Sequence, residues 1–509
     1  MANKSRAKAL KINAITSILS EIVTLICGLI LPRVILLFYG STTNGLVSSI
    51  AQFLGFSVVL RSGIGAVTKA ALYKPLAEGD INEISAIMAA TKKYMQKIAL
   101  ILAGCILVLA VVYPFIVLED YSWFYTFCMV LVLGLTTFTE NFFGIKNMIL
   151  LQADQKYYVQ TIAFIISQVL SCLVSVLLMY FRLDMLYVKM GAAVAFLSNP
   201  LLLELYVRKK YKIDKTIPPN NLALKQRWSA FFQQLAIIIN GNVDIVLITF
   251  LSPLSSVSVY TVHFMIVNNI SKVVQAPVQG VGAAFGDMLA KEEMDNLRKS
   301  FMFMEWAVFA LATLLFAITA SMINSFIQLY TASVTDANYY QPLFALLMVI
   351  AVMLNCLRIP YQSLTEAAGH FKQTRNGAIL EVIINLVVSI VLLIFIGLIG
   401  VVIGTLCSCL IRTIQYSWYS TKKILNVSIL HVVKNYLVYL GSFALCVVIG
   451  YFLVPNNMSN YLVWILYSVY MALISFAIIV IFSLIFNRTE VKYLFNKLKS
   501  KRKFKENKQ

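Results

Sequence analysis

Apolar residues run in blocks of 20 or more along the whole chain, and short polar stretches between them carry most of the charge. A helix needs about 20 apolar residues to cross the hydrocarbon of a bilayer, so each block predicts a membrane span. The blocks fall at 12–38, 44–71, 95–118, 122–150, 158–181, 185–207, 228–251, 256–289, 300–325, 341–366, 375–396, 398–420, 435–454 and 461–486. The fold class they predict is an all-α polytopic membrane protein with about 14 transmembrane helices.

The polar stretches alternate in charge. Every second one, counted from the N-terminus, is basic, and this set holds 35 of the 42 Lys and Arg. The opposite set carries Glu119, Asp120, Asp184 and Asp336, with Arg182 as its clear basic member. Lys and Arg in short loops stay on the cytoplasmic side, so both termini are expected in the cytoplasm and the span count is expected to be even. Lys4, Arg6, Lys8 and Lys11 precede a first apolar run that is too long for a signal-peptide core and lacks an A-x-A site, which predicts a retained span.

The connection 208–227 is the longest of the basic set and contains Pro218 and Pro219. It divides the chain into an N-terminal six-helix bundle (1–207), this linker (208–227), a C-terminal six-helix bundle (228–420), two additional helices (421–486) and a basic cytoplasmic tail (487–509). The basic run of the linker reads as a topology signal, with attraction to anionic headgroups as a second reading.

The two halves repeat each other. Gly63, Gly65, Ala66, Leu72 and Lys74 recur as Gly280, Gly282, Ala283, Leu289 and Lys291 at an offset of 217. Val174-Ser175 recurs as Val388-Ser389 at 214, and Ala153 as Ala368 at 215. A repeat of an even number of spans relates the bundles by a pseudo-two-fold axis along the membrane normal, with a site expected between them.

Composition sharpens this picture. The chain is 60% hydrophobic and 13% charged, with a mean hydropathy of +0.82, which leaves no room for a sizeable soluble domain. The net charge of +20 would suit nucleic acid if it were gathered in one polar domain. It punctuates apolar blocks instead, so no nucleic-acid partner is expected. The eight cysteines all lie in apolar runs without metal or redox spacing, and behave as small buried apolar residues. The three histidines, His263, His370 and His431, show no metal-ligand spacing. No phosphate-binding loop or other enzyme motif is present, so no catalytic residue, metal or cofactor is expected.

Charges inside the apolar blocks are the candidate chemistry. Arg33, Arg61, Lys272, Arg358 and Arg412 fall within spans, as do Glu21, Glu140 and Asp244. A charge at the bilayer centre is costly, about 2.5–3.5 kcal/mol on insertion scales, and is kept where it faces a protein interior or wet cavity. Gly63 and Gly65 beside Arg61 would let a neighbouring helix come close. The bland reading is that these charges are ion pairs holding helices together. The other is a cationic cavity for an anionic substrate, because Arg forks match phosphate oxygens and Lys acts as a point charge. Glu21, Glu140 and Asp244 are then the candidates for ion coupling or charge pairing, with H⁺, Na⁺ or the membrane potential as driver.

The segment Tyr39-Gly40, Asn44-Gly45-Leu46, Gly63-Ile64-Gly65 and Leu72-Tyr73-Lys74-Pro75-Leu76-Ala77-Glu78-Gly79-Asp80 resembles the polysaccharide-transporter branch of the multidrug/oligosaccharidyl-lipid/polysaccharide (MOP) flippase superfamily. So does Asp244-Ile245-Val246-Leu247-Ile248 with Val259-Tyr260. The resemblance implies a flippase that moves undecaprenyl-pyrophosphate-linked oligosaccharide repeat units from the inner to the outer leaflet of a bacterial cytoplasmic membrane. Capsule, O-antigen or another surface polysaccharide would be the product, with a polymerase and glycosyltransferases as partners. It further implies a cavity lined by cations of spans one, two and eight, where this chain has Arg33, Arg61 and Lys272. A lipid II flippase, a drug or cation antiporter of the same superfamily, and a non-transporting assembly scaffold stay open.

Overall fold

The computed structural model describes residues 2–214, 216–219, 243–278, 281–455, 457–458, 460–493. Among these the regular structure is helix, and eleven helices are long and apolar enough to cross a membrane. The chain divides into two compact units, Met1–Val259 and Tyr260–Gln509. The outward faces are apolar: Leu100, Val108, Phe395 and Phe452 are all exposed. Such surfaces belong in lipid, and the protein is a multi-pass membrane protein of the all-α class.

Unit 1 begins with α1 (Ala2–Gly55), which is kinked at Gly40, where φ 80 and ψ −178 leave the helical region. A glycine tolerates that geometry because it has no Cβ. The expected boundary between the first two spans therefore falls at Gly40, but the second expected span is cut again at Phe56, before α2 (Ser57–Glu78). α2 ends at Gly79, whose φ of 74 reverses the chain while its N–H bonds to the Pro75 carbonyl. Asp80 then caps α3 (Ile81–Val112) by accepting from the Asn82 and Glu83 N–H groups. The end of the Leu72–Asp80 motif is thus a helix-stop and helix-start device.

The fourth span is α4 (Trp123–Thr139), a π-turn (Glu140–Gly144) and α5 (Ile145–Ala153). There follow α6 (Tyr157–Tyr180), α7 (Met185–Phe196) and α8 (Ser198–Lys210). Leu72, Ile87, Met95, Leu150, Leu151 and Leu203 form a buried core that joins α2, α3, α5 and α8. The linker lies partly outside the described residues. Its first part is held by the Asp214 N–H on Ser85 Oγ (3.0 Å), and the Thr216 N–H and hydroxyl hold the Asp214 carboxyl below its ordinary range.

The seventh expected span falls largely on residues outside the described set; 243–251 are helical. They and the start of α9 (Leu254–Gln275) cluster with unit 1, so the compact division comes later than the linker. The reason is local. Asn44 Nδ2 donates to Ser258 Oγ (2.7 Å), and Ser49 Oγ lies 2.7 Å from Thr249 Oγ1. A Cβ at Gly45 would sit 1.8 Å from the Leu254 carbonyl oxygen, so the two backbones touch there. By contrast, a Cβ on Gly65 would meet nothing within 4 Å. Gly63, the other glycine expected beside a neighbouring helix, has surroundings outside the described set; the close backbone approach described in this unit is at Gly45.

The eighth expected span is broken. α9 gives way to a 3-10 turn (Ala276–Val278), and α10 (Val281–Ala290) follows. Pro277 removes a backbone donor and clashes with the preceding turn. Unit 2 continues with α11 (Met294–Tyr330), α12 (Pro342–Leu357), α13 (Ile359–Ala367), α14 (Phe371–Ile396) and α15 (Leu398–Tyr419). α14 and α15 form a hairpin packed on small residues: Gly400 lies against Leu392 and Gly404 against Ser389. The two additional helices are α16 (Ile429–Leu453) and α17 (Tyr461–Phe486). They pack on α11, where Phe309 meets Tyr439 edge-on and Trp464 Nε1 donates to the Met322 carbonyl (3.1 Å).

Candidate functional site

The candidate charges fall into three groups. Arg33 lies half-buried in α1, and Glu140 and Asp244 are half-buried in unit 1; each is engaged by a neighbouring group. Glu21 is exposed on α1 and Lys272 is exposed on α9. Arg61 belongs to α2, and its side chain lies outside the described set.

Arg358 and Arg412 come together in unit 2. Arg358 stands at the break between α12 and α13, which Pro360 enforces. Its Nη1 is 2.7 Å from Glu381 Oε1, and Arg412 Nε is 3.4 Å from Glu381 Oε2. Only 6% of the Glu381 side chain is exposed. Arg412 is held from every side. Nη1 donates to the Thr374 carbonyl (2.8 Å) and Gln415 Oε1 (2.6 Å), Nη2 donates to the Tyr416 hydroxyl (2.7 Å), and the guanidinium lies 4.1 Å from the Tyr416 ring centre. Gly377 leaves the room that the Gln415 amide occupies.

Two guanidiniums therefore share one carboxylate, and the cluster keeps one positive charge. Arginine stays charged in any such setting. The residues behind it form a polar stripe on α14, where Thr374, Gly377, Glu381, Asn385 and Ser389 recur every three or four positions. That spacing is readable in the sequence, although Glu381 lies near an expected span end. The structure buries it.

A second buried network was missed. Glu305, fully buried in α11, accepts a hydrogen bond from the Tyr361 hydroxyl and lies 3.1 Å from His431 Nε2. His431 adjoins Asn435 (3.1 Å), and Asn435 Oδ1 accepts from Asn487 Nδ2 (3.2 Å). This network joins α11, α13, α16 and the end of α17. Its sequence signal is His431 and Asn435, four apart on one helix face.

In unit 1 the ion pairs described gather at helix ends. Glu204 Oε1 accepts from Arg208 Nε (2.8 Å), while Lys146 Nζ is 3.1 Å and Asn147 Nδ2 2.8 Å from Glu204 Oε2. Lys156 Nζ is 2.6 Å from Asp154 Oδ2. Tyr211 donates to the same carboxylate, and burial and that negative charge push its hydroxyl pKa up. Among the described residues no group of His, Cys, Asp and Glu could hold a metal ion.

No family model matches the chain, and no curated protein matches it. Solved structures do. The lipid II flippase MurJ in an inward closed conformation superposes with a TM-score of 0.69 at 13% identity, covering 94% of this chain and 99% of that one. An inward-facing multidrug resistance MATE family transporter of the MOP superfamily gives 0.62 at 15% identity, over 78% and 93%. A mutant of the Vibrio cholerae MATE transporter VcmN gives 0.55 at 15%, over 83% and 98%. These neighbours are transporters, and the fold of this chain is the one that MOP-superfamily membrane transporters share.

Proposed function

We propose that this protein is a flippase for undecaprenyl-pyrophosphate-linked oligosaccharide repeat units, moving them from the inner to the outer leaflet by alternating access around a cationic cavity. The observation that carries the reading is a local surplus of embedded arginine: Arg358 and Arg412 share the single carboxylate of Glu381. An antiporter of cationic drugs would call for the opposite surplus. A pyrophosphate headgroup with sugars cannot cross hydrocarbon unaided. Arg33, Arg61 and Lys272 would engage the pyrophosphate, with Arg358 and Arg412 adding positive potential, while the polyprenyl chain stays in lipid. Glu21, Glu140 and Asp244 would couple the cycle to H⁺ or Na⁺ or pair with these cations. Both termini would be cytoplasmic, and a polymerase and glycosyltransferases would act on either side of the step.

The likeness to MurJ over nearly the whole of both chains favours a second reading, lipid II as the cargo. Both are tested together in cells that carry Arg33→Ala, Arg61→Ala or Lys272→Ala, with protein level and membrane insertion measured in parallel. The proposal predicts loss of surface polysaccharide, with lipid-linked repeat units accumulating on the cytoplasmic side. Loss of peptidoglycan synthesis with polysaccharide intact would select the second reading. Normal output of both polymers from all three variants would overturn the cationic cavity.

A further inference from the structure

The π-turn Glu140–Gly144 opens a cavity of about 450 Å³ within unit 1. A π-turn inserts one residue into the helical ladder, which displaces the side chains around it and often marks a functional site. Here it carries Thr139, Phe142 and Phe143 into the wall, opposite Leu197, Pro200 and Leu201 of the α7–α8 corner. Phe143 is 50% and Leu201 61% exposed, so this wall opens on the apolar outer surface.

The polar edge of the same cavity is cationic. Lys92 from α3, Lys146 from α5 and Arg208 from α8 line it, with Gln96 as a neutral donor and Glu204 as the one acid. Glu204 lies between Lys146 and Arg208, so the three cations keep two positive charges. Lys92 and Arg208 are exposed and available to a ligand. These three cations also come from three successive basic segments of the sequence, and their meeting in one cavity puts those segments at the same end of unit 1.

We propose that this cavity is a binding site for an anionic glycerophospholipid of the surrounding bilayer, distinct from the charges assigned to the cargo. The chemistry is complementary in both parts. An acyl chain enters through the apolar wall of Phe142, Phe143 and Leu201. The headgroup phosphate meets Lys92 and Arg208, with Gln96 beside it and Lys146 holding the base of the site through Glu204. A free phosphate ion would find no use for the apolar wall, and a zwitterionic lipid would gain nothing from the surplus charge. A lipid seated here would fill the gap left by the π-turn and tie α3, α5 and α8 together.

Native mass spectrometry of the full chain tests this, with phosphatidylglycerol and phosphatidylcholine offered together at limiting amounts. The wild type is expected to retain phosphatidylglycerol preferentially. Lys92→Gln with Arg208→Gln should lower that preference by about fivefold or more, since each basic residue near the surface adds a comparable factor. Leu201→Trp, which fills the cavity and leaves every cation in place, should lower retention of phosphatidylglycerol as well. Lys422→Gln with Lys423→Gln, which removes two cations from unit 2, should change nothing. Equal retention of the two lipids by the wild type would overturn the proposal. So would a preference that survives both cavity variants, or displacement of the lipid by millimolar inorganic phosphate.

Discussion

The fourth and the tenth expected spans are each broken at a charged residue, and the two breaks are used in opposite ways. In unit 1 the break begins at Glu140; in unit 2 it falls at Arg358, 218 residues later and close to the offsets of the sequence repeat. The unit 1 break opens a cavity whose charges stand at its rim. The unit 2 break is filled by Arg358, Glu381 and Arg412, with Thr374, Gln415 and Tyr416 completing the shell. One architecture thus carries a rim of surface cations in one copy and a buried ionic lock in the other. The polar contacts elsewhere follow the same division. Unit 1 joins α1 to the segment 243–259 through neutral side chains and a glycine, whereas unit 2 joins α11, α13 and α16 through Glu305, Tyr361 and His431.

The largest effect should come from Glu381→Gln. Removing one partner of a buried ionic cluster leaves the other charges uncompensated and costs about 3–5 kcal/mol. Thermal unfolding in detergent should show that loss, and Glu381→Gln combined with Arg358→Met and Arg412→Met should recover most of it. If the triple variant is no better than the single one, the lock is held by more than its charges. Gly45→Val comes next. Its side chain would run into the Leu254 carbonyl, and forced overpacking costs about 1–3 kcal/mol; protease cleavage between residues 208 and 260 should rise with it. Wild-type resistance in Gly45→Val would show that the neutral joint of unit 1 yields easily. Asn44→Ala, which removes the buried hydrogen bond from Asn44 Nδ2 to Ser258 Oγ, should cost about 1 kcal/mol by the same unfolding assay. Asp80→Ala should be the mildest, about 1 kcal/mol, because it removes only the cap of α3.

The spans were legible because hydrocarbon allows so few solutions: apolar length marked out most of the eleven helices described as long and apolar, although Ile15–Gly55 runs through the expected first boundary and Ile81–Ile116 begins before the expected third span. The breaks inside them were harder. Pro277 and Pro360 stand at two of them, but the π-turn at Glu140 has no proline that marks it. The embedded arginines were legible as costly and therefore placed with purpose. Their partner was not, since Glu381 and Arg412 are 31 residues apart and meet only because α14 and α15 fold back as a hairpin. His431 was set aside for want of metal spacing, although its meaning lay in Glu305 on another helix. Contacts between helices depend on rotation about each axis, and apolar content does not encode that rotation when both lipid and protein interior are apolar.

The central claim is that embedded cations carry a lipid-linked pyrophosphate across the bilayer. Its most direct test is translocation by the purified protein in liposomes. Undecaprenyl-pyrophosphate-linked oligosaccharide would be placed in one leaflet, and its arrival in the other followed with a membrane-impermeant lectin. Wild type should accelerate arrival over protein-free liposomes, and Arg33→Ala and Lys272→Ala, reconstituted to the same density, should slow it at least about tenfold, the equivalent of 1.4 kcal/mol. Equal rates for wild type and both variants would contradict the account, as would no acceleration by the wild type.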